Sequence, residues 1–315
     1  MKKLLILGGT GIMGGPLSRI AAQAGYQVDS VSLDEHRSDL ANLRYIQTND
    51  ARSPEFLDEI LKNRYDVIVD FMTYNSTTFR RTAPKFLDNC EQYFYLSSCR
   101  IFADEEVPVK ETSPRLIDVI DEPKLLLSDD YAMHKARGEN FLRAGKYNNW
   151  TIVRPSTTYG DNGCQLLSLS IPLVLQARDA GKTVLLHEQS RDIPASLTYG
   201  KDVADMIFCL IGKEQALGND YNVTSNEYHT WGEIAEYYRD IFGITYDWVD
   251  EDTYLLFRKP DFDPVRDGWM RWQMKYGRLL HRIYDTSKML RDTGLKQEQF
   301  LPLYDGLCRI KKALD

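Results

Sequence analysis

Short apolar runs alternate with helix-like stretches through the first half of the chain. Leu4-Leu5-Ile6-Leu7 predicts a buried first strand, and a helical pattern follows from Leu17 to Ala24 with Gly25 as its stop. Val28–Ser32 and Leu43–Gln47 read as the second and third strands. Ser53-Pro54-Glu55 opens a helix to about Arg64, with the serine capping and the proline in the first turn. Asp66–Phe71 reads as a buried fourth strand, Thr77–Cys90 as a helix, and Gln92–Ser97 as a fifth strand. Ser128 or Asp129 is the expected cap of a helix reaching Ala144. Thr151–Arg154 forms the sixth strand and Pro155 ends it. Strands alternating with helices predict right-handed crossovers and a doubly wound parallel α/β sheet, with ligand at the strands' carboxyl ends. Beyond Gly160 the alternation loosens. The tail from about Asn226 is helical and aromatic, with Trp231, Tyr237, Tyr238, Trp248, Trp269 and Trp272, and predicts a smaller, mostly helical substrate lobe. The expected division is residues 1–165 and 198–226 for the nucleotide-binding part and 166–197 and 227–315 for the lobe.

The first strand runs into Gly8-Gly9-Thr10-Gly11-Ile12-Met13-Gly14. Glycines there let the chain turn tightly off a strand, bring bare backbone to a pyrophosphate, and pack the next helix close to the sheet. The N–H groups of that helix then face the phosphates. Gly9-x-Gly11-x-x-Gly14 is the general dinucleotide spacing and Gly8-x-x-Gly11-x-x-Gly14 the looser one; the loop alone fits both.

Composition narrows the partners. With 39 Lys and Arg against 46 Asp and Glu, the net charge of −7 gives no global attraction to nucleic acid or anionic membrane. The five cysteines form no Cys-x-x-Cys and their number is odd, which fits a reducing cytoplasm and no metal site. The apolar start breaks at Gly8, too early for a signal peptide core or a membrane span.

Tyr131 and Lys135 stand four residues apart on one helix, so both face the same way. A phenol ionises near 10, and bringing it to about 7 takes roughly 4 kcal/mol in favour of phenolate. A neighbouring ammonium and a positive nicotinamide ring are the expected sources, and the phenol could then exchange a proton with a substrate hydroxyl. Spacing alone decides little, since Tyr284 and Lys288 repeat it. Tyr131 is preferred because its helix follows the Ser97-Ser98 strand end in a chain with a dinucleotide loop. His134 beside it reads as a helix-surface residue, and Cys99 as a small buried filler.

These motifs resemble the extended short-chain dehydrogenase/reductase superfamily, in its NAD-dependent epimerase/dehydratase group, over nearly the whole chain. The resemblance implies a Rossmann-type fold, a homodimer, and a Ser98, Tyr131, Lys135 catalytic set: Tyr131 as acid/base, Ser98 bonding the substrate oxygen, Lys135 holding the ribose and tuning the phenol. It implies cofactor contacts at Gly8, Thr10, Gly11, Ile12, Met13 and Gly14, and at Ser32, Asp50, Ala51, Phe71, Met72, Pro155 and Ser156. Asp50 would meet adenine. Ser32 stands where a carboxylate would select NAD; Asp34 could substitute, or Arg37 could favour the 2′-phosphate of NADP, and NAD is preferred. Cys99-Arg100 after Ser98 replaces the Asp-Glu pair of family dehydratases, which disfavours elimination. Thr157 stands where many nucleotide-sugar epimerases carry asparagine. The resemblance also reaches a branch containing the chloroplast stem-loop-binding proteins.

One segment departs from the overall charge. Residues 258–282 hold seven Lys or Arg against three Asp. On a helix from about Gly268, Arg271, Lys275, Arg278 and Arg282 would form one stripe, beside Trp272, Tyr276, Leu279 and Ile283. Three readings stand: a solvated basic face, a lid gripping a substrate diphosphate, or an RNA-backbone patch. The expected activity is NAD(P)-dependent hydride transfer on a nucleotide sugar, as an epimerase. The alternatives are a net keto-reductase or dehydrogenase, and a non-catalytic nucleotide-sensing or RNA-binding module.

Overall fold

A computed structural model describes residues 1–161 and 163–314. Seven parallel strands make the central sheet: β1 Lys3–Leu7, β2 Gln27–Ser32, β3 Leu43–Gln47, β4 Val67–Asp70, β5 Gln92–Leu96, β6 Trp150–Arg154, and the Asn219–Asn222 strand. Their order across the sheet is Asn219–Asn222, β6, β5, β4, β1, β2, β3, so the chain starts in the middle and winds outward twice. The switch point lies between β1 and β4, where both strands end beside the glycine loop.

The helices are α1 Gly14–Gln23, α2 Pro54–Ile60, α3 Ser76–Leu87, α4 Leu116–Val119, α5 Pro123–Leu127 and α6 Tyr131–Ala144, followed by those of the second half. Ser53 caps α2 as expected, its Oγ accepting from the Phe56 N–H at 3.1 Å. The cap of α6 is Asp130 rather than Ser128 or Asp129. Asp130 accepts from the Ala132 N–H at 3.0 Å, while the Ser128 hydroxyl donates to Leu125 O at 2.7 Å and accepts from the Asp130 N–H at 3.0 Å.

Apolar strand faces fill two cores on either side of the sheet. One gathers Leu4, Ile6, Leu17, Val69 and Phe94 with the Gly200–Leu210 helix; the other gathers Leu5, Leu7, Ile68, Phe79, Phe86 and Tyr93. A third core lies in the second half, where Tyr159, Leu166, Leu186, Trp231, Tyr238, Tyr254, Met274 and Leu307 pack together. Met289 and Phe300, late in the sequence, pack in the first core instead.

The basic helix is shorter than the sequence pattern suggests. It spans Trp269–Arg278, and Arg282 lies beyond its end. The Leu279 N–H reaches back to Met274 O, the His281 N–H bonds Asp104 Oδ2 at 3.0 Å, and Val109 and Tyr284 form a parallel bridge. Tertiary pairing claims the backbone there, and Gly277 in the last turn weakens the helix.

Candidate active site

The strands' carboxyl ends set the expected cofactor residues along one edge. Gly8 follows β1, Ser32 ends β2, Phe71 follows β4, Ser98 follows β5, and Pro155 follows β6. Gly8 adopts φ +83°, where a side chain would be strained. A Cβ at Gly14 would fall 2.2 Å from Gly8 O, so this glycine lets α1 press against the loop. A Cβ at Gly11 would meet only Gly8 O, at 3.4 Å, leaving its outer side open. Gly9 is closed off, since a Cβ there would strike Ser30 Oγ at 1.9 Å. Met13 caps α1 with no side-chain bond; in the first turn the Gly15 N–H goes to Gly11 O at 2.9 Å and Pro16 has none, while Gly14 brings the helix end against the loop. These features fit a dinucleotide pyrophosphate. Ile12 turns the other way, and Gly200 makes room for it: a Cβ there would lie 2.5 Å from Ile12 O. Sequence reasoning missed Gly200, whose need arises only from that packing.

At the far end of β2, Ser32 is buried and donates to Asp34 O at 2.8 Å, while Thr10 Oγ1 donates to Asp34 Oδ2 at 2.9 Å. A carboxylate is thereby fixed beside the loop, whereas Arg37 is almost fully exposed. Asp50 is exposed after β3 and Ala51 is buried under it. Phe71 and Met72 are half-buried, the Met72 N–H donating to Asp70 Oδ1 at 3.0 Å. Pro155 O accepts from Cys99 N–H at 3.0 Å. Ser156 joins a buried hydroxyl cluster with Thr198 and Thr224, at 3.0 and 2.8 Å.

Ser98, Tyr131 and Lys135 come together. Ser98 and Tyr131 line the same cavity, and Ser98 Oγ accepts from the Arg100 N–H at 3.1 Å. Lys135 Nζ lies 5.7 Å from the Tyr131 ring centre, is buried, and donates to Leu96 O at 2.6 Å. Burial raises the phenol above its ordinary ionisation, and the Ser98 hydroxyl and Arg100, whose guanidinium is 5.7 Å from the ring, oppose this only in part. The expected depression by Lys135 is therefore not found: the ammonium is directed at Leu96 O, and the phenol stays raised.

Lys135 is itself perturbed. Burial brings its ammonium well below the ordinary lysine range, and the carboxylates of Asp70 and Glu139 oppose this. Asp70, buried at the end of β4, accepts from Tyr93 hydroxyl at 2.9 Å and Tyr74 hydroxyl at 3.4 Å. Since Asp70 keeps the lysine protonated, Asp70→Asn makes Lys135 lose its proton at lower pH. The alkaline limb of the turnover profile then moves down by about one pH unit; an unmoved limb would show that Asp70 does not act through Lys135.

Beyond Tyr131 lies a cavity of about 400 Å³. Ser98, Arg100, Tyr131, Ser156, Thr157, Arg258, Arg278 and Arg282 are among its lining residues. Arg271 and Lys275, expected with them, lie elsewhere. Arg271 is ion-paired with Glu251 and Asp252, and Lys275 is exposed with its ammonium 5.0 Å from the Tyr276 ring. A stripe drawn at helical spacing could not anticipate acidic partners from the preceding helix. Arg100 and Arg258 were not foreseen as part of this group, since no spacing signal links them to Arg278. His134 is buried rather than on the surface, its ring edge-on to Tyr131 at 5.4 Å and its Nδ1 3.2 Å from Asp129 O. Cys99 is a buried filler as expected; its thiol donates to Arg154 O at 3.1 Å, and burial pushes its ionisation far up.

A sequence model of the NAD dependent epimerase/dehydratase family matches residues 4–224. The chain belongs to this family. It is accordingly an NAD-dependent enzyme of the extended short-chain dehydrogenase/reductase type. Among solved structures, an epimerase from Methanothermobacter thermautotrophicus superposes with a TM-score of 0.73 at 15% identity, covering 99% of this chain and 92% of that one. The UDP-glucuronic acid 4-epimerase of Bacillus cereus, in complex with UDP-glucuronic acid and NAD, gives 0.72 at 14% over 99% and 98%. The dTDP-glucose 4,6-dehydratase of Bacillus anthracis, in complex with NAD, gives 0.67 at 15% over 99% and 96%. The family epimerases and dehydratases thus share the fold. The chloroplast stem-loop binding protein of 41 kDa b from Arabidopsis thaliana is 24% identical over 252 residues, 75% of this chain and 62% of that protein. The matched region therefore spans under two thirds of that relative's length.

Proposed function

We propose that this enzyme inverts a hydroxyl-bearing carbon of a nucleotide sugar through a transient ketone, with Ser98, Tyr131 and Lys135 as its catalytic set. The observation that carries the reading is the meeting of Ser98 and Tyr131 in the lining of one cavity, with buried Lys135 5.7 Å from the Tyr131 ring centre, on the strand edge that also carries the glycine loop. Bound NAD supplies a hydride acceptor and donor. Tyr131 takes the proton of the substrate hydroxyl as the carbon is oxidised and returns it after the ketone has presented its other face. Ser98 holds the reacting oxygen, and Lys135 places a positive charge beside the ribose and the phenol. Thr157, half-buried on β7 Thr157–Tyr159, lines the substrate side, with Arg278 and Arg282 as further substrate contacts. Gly8, Thr10, Gly11, Met13, Gly14, Phe71, Met72, Pro155 and Ser156 line the cofactor path, and Asp50 meets the adenine.

Asp34 favours NAD over NADP, because a carboxylate bonded to Thr10 repels a 2′-phosphate at the adenosine ribose. Asp34→Ala is expected to reduce the NAD preference by about tenfold, or 1.4 kcal/mol, in cofactor titrations followed by tryptophan fluorescence. An unchanged ratio would assign the choice to another residue.

A homodimeric, cytoplasmic enzyme accompanies this reading, with five unpaired cysteines suited to a reducing compartment. A net dehydrogenase would release NADH, whereas an epimerase keeps its cofactor through the cycle. A second reading, a nucleotide-sensing or RNA-binding module, draws on the stem-loop-binding relative. Arg271, on which such a patch would rely, is occupied by Glu251 and Asp252. Nucleotide sugars deuterated at the inverting carbon separate the readings by NMR. The proposal expects the epimer with its deuterium retained and no NADH released; released NADH selects the dehydrogenase, and an unaltered sugar across UDP- and dTDP-hexoses refutes turnover of this class.

A further inference from the structure

Four arginines from three separate parts of the chain meet beside Tyr131. Arg100 follows Ser98, Arg258 ends the Glu251–Arg258 helix, Arg278 ends the Trp269–Arg278 helix, and Arg282 follows it. Gly277 lies against Arg100, a Cβ there standing in ordinary contact 3.4 Å from Arg100 Nε. Arg100 is paired with Asp130 at 3.2 Å. Among the described residues, no carboxylate lies within ion-pair distance of the other three.

Their remaining bonds are to neutral groups. Arg258 donates to Gln273 Oε1 at 3.1 Å, Arg278 to Leu167 O and Gly277 O at 3.0 and 3.1 Å, and Arg282 to Tyr276 O at 2.7 Å. Arg282 is only 5% exposed, and its Nε has no hydrogen-bond partner. Arg100 Nε and Arg258 Nη1 are likewise buried without partners. Burial and the charge of Arg100 lower the ionisation of Arg258, Arg278 and Arg282, with Arg278 brought down to about 10, although Asp104 supports Arg282. Guanidiniums held together out of water without counter-charge are costly, and a bound oxyanion removes that cost while satisfying the vacant N–H groups.

We infer that the unit of the substrate that reacts is itself anionic, carrying a carboxylate or phosphate that these arginines grip while its hydroxyl faces Ser98 and Tyr131. This rests on the assignment of Ser98 and Tyr131 as the reacting end of the cavity. It differs from a grip on the nucleotide's diphosphate, because the Arg100 guanidinium stands 5.7 Å from the ring of the same phenol that handles the proton. The reacting carbon and the anion therefore share one small cavity.

Calorimetry on the NAD-loaded protein tests this with UDP-glucuronic acid, UDP-glucose, UDP and glucose 6-phosphate. UDP-glucuronic acid, if the anion is a carboxylate, or glucose 6-phosphate, if it is a phosphate, is expected to bind at least tenfold more tightly than UDP-glucose. Arg278→Gln and Arg282→Gln should each erase that difference while leaving NAD affinity unchanged. Tight glucose 6-phosphate binding without any binding of the UDP compounds would uphold the anion site and defeat the nucleotide-sugar reading. Equal affinity for UDP-glucose and both anionic sugars would overturn the inference, as would variants that weaken UDP as much as the anionic ligand. If a variant fails to retain NAD, the unmodified protein's preference decides alone.

Discussion

Tyr131→Phe lowers turnover by a factor of about 10² to 10⁴, the range for loss of a positioned acid/base group, or roughly 3–5 kcal/mol of transition-state stabilisation. The ring keeps its packing against His134, and Lys135 stays on its carbonyl, so the change removes one oxygen and little else. NAD binding should persist, since Gly8, Gly11, Gly14 and Asp34 are untouched. That combination, cofactor retained and chemistry lost, separates a proton-transfer role from a packing role. Steady-state rates on any accepted sugar, with cofactor content measured beside them, provide the check. Full turnover in Tyr131→Phe would refute the assignment of Tyr131.

Glu139→Ala is expected to destabilise the fold by about 3–5 kcal/mol, the cost of leaving a buried charge without its partner. Glu139 and Arg154 are both fully buried and joined by two bonds of 2.7 and 2.9 Å. Arg154 also reaches Asp220 at 2.6 Å, tying α6 through β6 to the Asn219–Asn222 strand. Arg115 also approaches Glu139, at 3.4 Å, so the alanine variant leaves Arg143 and Arg154 sharing Asp220 as their carboxylate. Tyr131 and Lys135 sit on the same helix as Glu139, and activity should fall with the population of folded protein. Glu139→Met combined with Arg154→Leu, which removes both charges, should recover most of the stability. Urea titration measures both variants; a loss below about 1 kcal/mol for Glu139→Ala would mean that water and Asp220 satisfy Arg154 without Glu139.

What could be read in the sequence follows from how locally each feature is determined. Parallel strands are buried on both faces, so they appear as apolar runs, and Leu4–Leu7 is buried throughout as its pattern predicts. Ser53 with Pro54, and the glycine loop, depend on a few adjacent residues and were equally legible. The loop's two registers are separated only in three dimensions: Gly8 and Gly14 meet at the strand end, whereas Gly9 is closed off by Ser30. The Ser98, Tyr131, Lys135 geometry needed the family resemblance, since the Tyr284 and Lys288 spacing is identical. The arginine group was the least legible part. Arg271 and Lys275 share a helical face with Arg278, but Glu251 and Asp252 claim the first and the second is exposed. Arg100 and Arg258 arrive from distant segments, and the backbone pairing around Tyr284 takes Arg282 off the helix into the cavity.

Native mass spectrometry of the purified chain, before and after addition of NAD and then of a nucleotide sugar, with NMR of the recovered sugar, tests the central claim most directly. The account predicts one NAD per chain, retained through the cycle, and an added sugar recovered partly as its epimer. A chain that carries no nicotinamide dinucleotide and takes up none when NAD is supplied would contradict it.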